Sequence, residues 1–121
     1  MPLRTIPVTV SETTAFRRSA SAIMAPDEVE SLIDRLARQP DAGTLIPGTG
    51  GVRKLRWRLA GIGKRGGTRV IYYYHDDTIP LLLLLAYAKS SASDITADQR
   101  HRIADLIENF VRTHKKRRRE P

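Results

Sequence analysis

The ten residues from Ile79 to Ala88 form the most apolar stretch of the chain. A bilayer-spanning helix needs roughly 18 or more apolar residues, so this run is too short to be one. Read as a strand, it is apolar on both faces, which places it centrally in a sheet with helices covering at least one side. Asp76-Asp77 marks a turn just before it.

Two further strands precede that run. From Val52 to Leu59 the sequence alternates, so that Lys54, Arg56 and Arg58 share one face while Leu55, Trp57 and Leu59 share the other. Ala60 to Gly67 is a glycine-rich turn carrying Lys64 and Arg65, and Thr68 to His75 is rich in β-branched and aromatic residues. Upstream, Asp41 to Gly51 reads as a connecting loop rich in Gly, Thr and Pro.

Helices account for most of the remainder. Val29, Leu32, Ile33, Leu36 and Ala37 recur at helical spacing, opened by Pro26-Asp27 with Glu30 as capping partner and stopped by Pro40. Phe16, Ala20, Ile23 and Met24 fall on one face of a shorter helix, which Ser11 can cap. Ile6, Val8 and Val10 suggest a first strand, pushed to a sheet edge by Pro7. Thr96 can cap a last helix whose stripe is Ile103, Leu106, Ile107, Phe110 and Val111. The expected architecture is α+β: a small twisted, mainly antiparallel sheet packed against N-terminal helices, followed by a C-terminal helix. One domain over residues 1–114 accommodates all of this. Residues 115–121 form a basic tail, Lys115 to Arg119 being five consecutive cations expected to fray.

Charge narrows the partners. Twenty-one Lys and Arg against 13 Asp and Glu give +8, which favours a polyanion: nucleic acid, a ribosome or an anionic membrane surface. The chain has no cysteine, which excludes disulfides, thiolate metal sites and thiol nucleophiles. His75, His101 and His114 lack ligand spacing, so neither metal nor cofactor is expected. No apolar signal-peptide segment is visible at the start, and the expectation is a soluble cytoplasmic protein with no membrane partner. The glycine-rich segments at 47–51 and 61–67 fail as nucleotide loops. Lys64 is followed by Arg65 rather than Ser or Thr, and both segments lead into strands rather than helices.

What remains is positive charge on strands. Lys54, Arg56, Arg58, Lys64, Arg65, Arg69 and Lys89 lie on or beside three consecutive strands, interleaved with Trp57, Tyr72, Tyr73, Tyr74 and Tyr87. Cations held on strands beside rings that stack on bases suit RNA binding or cleavage. A solvated basic face with core tyrosines is the plainer alternative.

The run from Ile46 to Trp57, the run Gly63-Lys64-Arg65-Gly66-Gly67-Thr68-Arg69-Val70-Ile71-Tyr72-Tyr73, and Ala86-Tyr87-Ala88-Lys89 with Asp94-Ile95-Thr96 beyond it together resemble the HigB-like branch of the RelE/ParE superfamily. The resemblance is specific from about Ile46 to Asp98. It implies a RelE-like fold and a toxin of a type II toxin-antitoxin system. Such a toxin is an mRNA interferase, a ribosome-dependent endoribonuclease that inhibits translation. The implied partners are the ribosome and mRNA, a cognate helix-turn-helix antitoxin of the HigA kind, and operator DNA reached through the antitoxin complex.

By the same resemblance Lys54, Arg56, Arg69 and Lys89 are the catalytic positions, with Arg65 as a neighbour; Arg58 and Lys64, from their place on the strand and turn, and Tyr73 and Tyr87, as rings able to stack, complete the expected RNA-binding set. Metal-independent cleavage by the RNA 2′-hydroxyl needs a base, a cation at the phosphorus and a proton for the leaving oxygen. Lys54 is the candidate base, Arg69 the phosphate ligand and Lys89 the group at the leaving oxygen, while Tyr87 or Tyr73 stacks on a base. Some relatives place a His or Tyr near the C-terminus, whereas here no Tyr follows Tyr87. Two alternatives keep the fold: a ParE-like gyrase inhibitor and a non-catalytic nucleic-acid-binding module.

Overall fold

A computed structural model of the chain describes residues 6–57, 67–89 and 95–119, with side chains as far as Lys115. In chain order the elements are β1 (Val10–Glu12), α1 (Thr14–Ser21), α2 (Pro26–Arg38), β2 (Thr44–Leu45), β3 (Val52–Trp57), β4 (Thr68–Tyr73), β5 (Leu81–Ala88) and α3 (Ala97–Arg119). Among the described residues the strands form one sheet in the order β1-β5-β4-β3-β2. β1 runs parallel to β5, and every other pairing is antiparallel.

Because β5 is apolar on both faces, the sheet is covered on both. Phe16, Ala20, Met24, Leu32 and Leu36 of the α1-α2 region pack on Leu55, Val70, Tyr72, Leu81 and Leu83. On the other side Ile95 and Ile107 join Val52, Ile71, Tyr73, Leu82 and Leu84. Several of these side chains are wholly inaccessible, Phe16, Leu32, Leu36, Tyr72 and Leu83 among them. Burying a side chain of that size contributes about 1.5 to 3 kcal/mol, so this two-sided burial is the main force fixing the order of layers. No described helix is long and apolar enough to cross a membrane.

β5 contains one irregularity that decides which side chains reach each face of the sheet. Ile71 pairs with Leu85 but its neighbour Tyr72 pairs with Leu83, so Leu84 is an extra residue on β5. Such a bulge resets the phase of side-chain alternation. Leu82 and Leu84 face α3, and after the extra residue Leu85 and Tyr87 face α3 as well.

Several elements differ from their sequence expectation. The first strand begins only at Val10, the last of the three residues expected to form it, and runs to Glu12. Val8 N–H is instead drawn to Ala37 C=O at 2.9 Å, Pro7 has no N–H to give a neighbouring strand, and Ile6 is 80% exposed. β1 does sit at the sheet edge. Ser11 lies inside β1, and Thr13 caps α1: its Oγ1 accepts from Phe16 N–H at 3.0 Å and donates to Leu83 C=O at 2.9 Å. α2 has Ala25 at its cap with no side-chain hydrogen bond, so Glu30 is not a capping partner. Pro26 at the first helical position removes one orphan N–H, and Asp27 and Glu28 face the positive end of the helix dipole.

The segment expected as loop contains β2, and the strand expected to reach His75 ends at Tyr73. Thr96 caps α3 as expected, reciprocally with Gln99: Oγ1 accepts from Gln99 N–H at 3.1 Å while Thr96 N–H donates to Gln99 Oε1 at 2.8 Å. Leu106, placed by its spacing in the buried stripe, lies on its flank and is 40% exposed. The basic run expected to fray continues α3 to Arg119.

Candidate functional site: a cationic cavity on the sheet

The face of the sheet that carries Val52, Ile71 and Tyr73 is apolar under α3 at one end and cationic at the other. Pleat alternation carries this face along β3 from Val52 to Lys54 and Arg56. Arg69 of β4 lies opposite Arg56, and Tyr87 of β5 lies opposite Arg69. Lys89 comes two residues after Tyr87 and so continues its phase. Had β5 kept the phase of Leu82, position 87 would face α1 and α2; the extra Leu84 turns it toward the cations instead. The β4-β5 end is closed by Lys89 N–H donating to Gly67 C=O at 3.3 Å. Gly67 has φ +60°, a left-handed turn conformation that glycine adopts without a Cβ penalty.

Lys54, Arg56, Arg69 and Lys89 all line one cavity of about 540 Å³. Four cations expected from sequence to meet at one spot are thus brought together. No carboxylate is among the described residues that line it. Arg69 is only 6% exposed, Lys54 is half-buried, and Arg56 and Lys89 are exposed. Like charges gathered around a nearly buried guanidinium repel one another more than they would in open water. An anion entering the cavity relieves that repulsion, and Arg69 can offer it two parallel N–H donors.

The other wall is β2, a strand that sequence reasoning missed. Thr44 pairs with Lys54, and with Ala42 it lines the cavity. Four hydrogen bonds and one close packing contact hold this wall in place. Tyr72, fully buried, donates its hydroxyl to Pro40 C=O and accepts from Gly43 N–H, each at 2.8 Å. Arg53 Nη1 donates to Gly43 C=O at 2.7 Å and to Asp41 C=O at 3.3 Å. Gly43 fits so closely against Tyr72 that a Cβ there would stand 2.8 Å from the ring. Burial pushes the Tyr72 phenol above its usual pKa, an effect partly offset by the Gly43 N–H bond and the Arg53 charge.

Not every candidate joins the site. Arg58, Lys64 and Arg65 lie outside the described residues. Tyr73 sits four residues along β4 from Arg69, roughly 13 Å away at strand rise, 3% exposed and opposite Val52. Its hydroxyl meets His75 Nδ1 at 3.1 Å, and burial, reinforced by the Asp76 charge, raises its pKa. Tyr87 shares the cationic face beside Arg69 but is half-buried against the α3-side core and does not line the cavity. Among the described residues no three His, Asp or Glu side chains gather as a metal site.

Element order, mixed sheet and C-terminal helix together define a RelE-like α+β fold. No family model matches the chain. Among solved structures it is similar to toxin RelE of E. coli, determined in the free state as a double Arg-to-Ala mutant. The TM-score is 0.53 over 72% of this chain and 88% of that chain, at 11% sequence identity. That likeness is one of fold.

Proposed function

We propose that the chain is the toxin of a type II toxin-antitoxin pair, of the HigB-like branch, and that it cleaves mRNA on the ribosome as a metal-independent endoribonuclease. The observation that carries this reading is the convergence of Lys54, Arg56, Arg69 and Lys89 on one cavity with no carboxylate among the described residues that line it. The sequence resemblance across residues 46–98, together with the fold shared with the toxin RelE, gives that convergence its reaction class.

In this mechanism the RNA 2′-hydroxyl gives its proton to Lys54 as its oxygen bonds to the adjacent phosphorus. The P–O5′ bond then breaks, and the leaving oxygen takes a proton from Lys89, leaving a 2′,3′-cyclic phosphate and a 5′-hydroxyl. Arg69 spans two oxygens of the phosphorane-like transition state, a contribution of roughly 3 to 4 kcal/mol in comparable anion sites. Arg56 adds charge at the rim, and in this reading Tyr87, which lies beside Arg69 on the same face but outside the cavity lining, stacks on a neighbouring base. Binding to the ribosome supplies the alignment of the RNA against these side chains. The antitoxin in this reading is a small helix-turn-helix protein from an adjacent reading frame, and operator DNA is reached through the toxin-antitoxin complex in the cytoplasm.

The test is to express the chain and an Arg69→Ala variant in a translating extract and map mRNA ends. Ribosome-dependent cuts by the parent, reduced about 100-fold or more in the variant, are the expected outcome. Intact mRNA together with blocked gyrase would transfer the fold to the ParE-like reading. RNA binding without strand breaks would leave a binding module.

A further inference from the structure

The cavity's charge sets a preference among anions that the cleavage reading, on which this inference rests, leaves open. An internal phosphodiester carries one negative charge. A terminal phosphate monoester carries about −1.5 to −2 at pH 7, its second ionisation lying near pH 6. The groups facing the cavity are Lys54 and Arg56 from β3, Arg69 from β4 and Lys89 just beyond β5, with Tyr87 beside Arg69. Arg69 is 6% exposed, so water screens its attraction for an entering anion less than it screens a surface cation. Thr44, across from Lys54, places a hydroxyl-bearing side chain at the rim. The volume, about 540 Å³, falls in the range of small-molecule sites, about 300 to 1,000 Å³. It admits a nucleotide end and not just a bare ion.

We propose that this cavity binds the 3′-terminal phosphate monoester of RNA in preference to an internal phosphodiester, and does so in the free protein without the ribosome. The consequence is retention of product. Water opens the 2′,3′-cyclic phosphate by adding its oxygen to phosphorus as the P–O2′ bond breaks, a proton passing to O2′. The resulting 3′-monoester carries more charge than the diester it replaces and holds the site against the next substrate. Between pH 5 and 7 the ligand's own phosphate changes charge, and no His, Asp or Glu is among the described residues lining the cavity.

Calorimetry on the purified free chain at low salt tests this, with the dinucleotide ApA, the same dinucleotide bearing a 3′-phosphate, and inorganic phosphate as probes. At pH 7.5 the 3′-phosphorylated dinucleotide is expected to bind roughly ten-fold more tightly than ApA, and more tightly than inorganic phosphate. The advantage shrinks several-fold at pH 5.5. It is lost in Arg69→Gln and reduced in Lys54→Gln, the half-buried position that keeps the test open if the first variant does not fold. Arg112→Gln, which alters an exposed α3 cation paired with Glu108, retains it. Equal affinity for the two dinucleotides, an advantage indifferent to pH, or inorganic phosphate binding as well as the RNA end would each overturn the proposal. The translating-extract assay separates the two readings: cleavage without monoester preference sinks this inference alone, and preference without cleavage sinks the nuclease reading while the RNA-end site stands.

Discussion

Replacing Tyr72 with Phe removes a single oxygen whose two partners have no obvious substitute. The hydroxyl donates to Pro40 C=O and accepts from Gly43 N–H, both at 2.8 Å, on a side chain with no accessible surface. Its loss strands a buried acceptor and a buried donor, at about 1 to 3 kcal/mol for each group left unsatisfied. Movement of the 40–43 turn toward water recovers part of that, so the expected net cost is about 2 kcal/mol. For a chain between the small and mid-sized classes this lowers Tm by roughly 6 to 10 °C. A second readout isolates the phenol itself. Tyr72 titrates higher when folded than its ordinary value, because burial disfavours the phenolate. Above about pH 10 the unfolded chain therefore releases a proton that the folded chain keeps. The stability this group contributes is present below pH 10 and declines as pH rises through the folded value. Phe has no such proton, and Tyr73, raised as well, is common to both proteins and cancels. Urea denaturation at pH 8, 9.5 and 10.5 should show the parent more stable by about 2 kcal/mol at pH 8, with the gap narrowing as the solution becomes alkaline. A Tm change under 2 °C, or a gap that stays constant or widens with pH, would refute the account of Tyr72 as the pin of the β2 wall.

Thr13→Ala should cost about 1 to 2 kcal/mol in denaturant midpoint, because Thr13 Oγ1 both caps Phe16 N–H and donates to Leu83 C=O; Ser11→Ala should change stability by less than about 0.5 kcal/mol. Binding to ribosomes, followed by sedimentation across a salt series, should weaken with a log-log slope on the order of −4 if about five phosphates are neutralised. Arg56→Gln should reduce the magnitude of that slope by about one unit, and an unchanged slope would remove Arg56 from the contact.

The parts of this fold that could be read from sequence are those specified locally. The β3 pattern from Val52 to Trp57 assigns Lys54 and Arg56 to one face because polar and apolar residues alternate there. Thr96 with Gln99 three residues on is a complete capping signal within one turn. The β5 bulge leaves no such trace. Positions 81 through 85 are all leucine, and a run of identical residues carries no phase, so nothing local marks Leu84 as the extra one. β2 is hidden for a different reason. Two residues suffice for it only because Tyr72, 29 residues away from Gly43 in sequence, fixes the preceding turn through its hydroxyl. Tyr73 reads from sequence as a neighbour of the cations because alternation says which residues share a face, not how far apart along the strand they lie.

That distinction explains why one sheet face can serve stability and chemistry at once. Along β4 the positions on the sheet face that α3 partly covers run Arg69, Ile71, Tyr73. Ile71 and Tyr73 are buried with Ile107 of α3, and their burial offsets the chain entropy lost on folding. No described residue of α3 lines the cavity around Arg69. The cations are therefore mounted on strands whose geometry is set elsewhere, by the apolar half of the same strands, and they can repel one another without the sheet coming apart. Electrostatic tension in the site is tolerable because the site does not hold the fold together. The same separation makes the bulge indispensable: β5 must be in leucine register for two helix layers at one end and in register with Arg69 at the other, and one inserted residue is the smallest change that satisfies both.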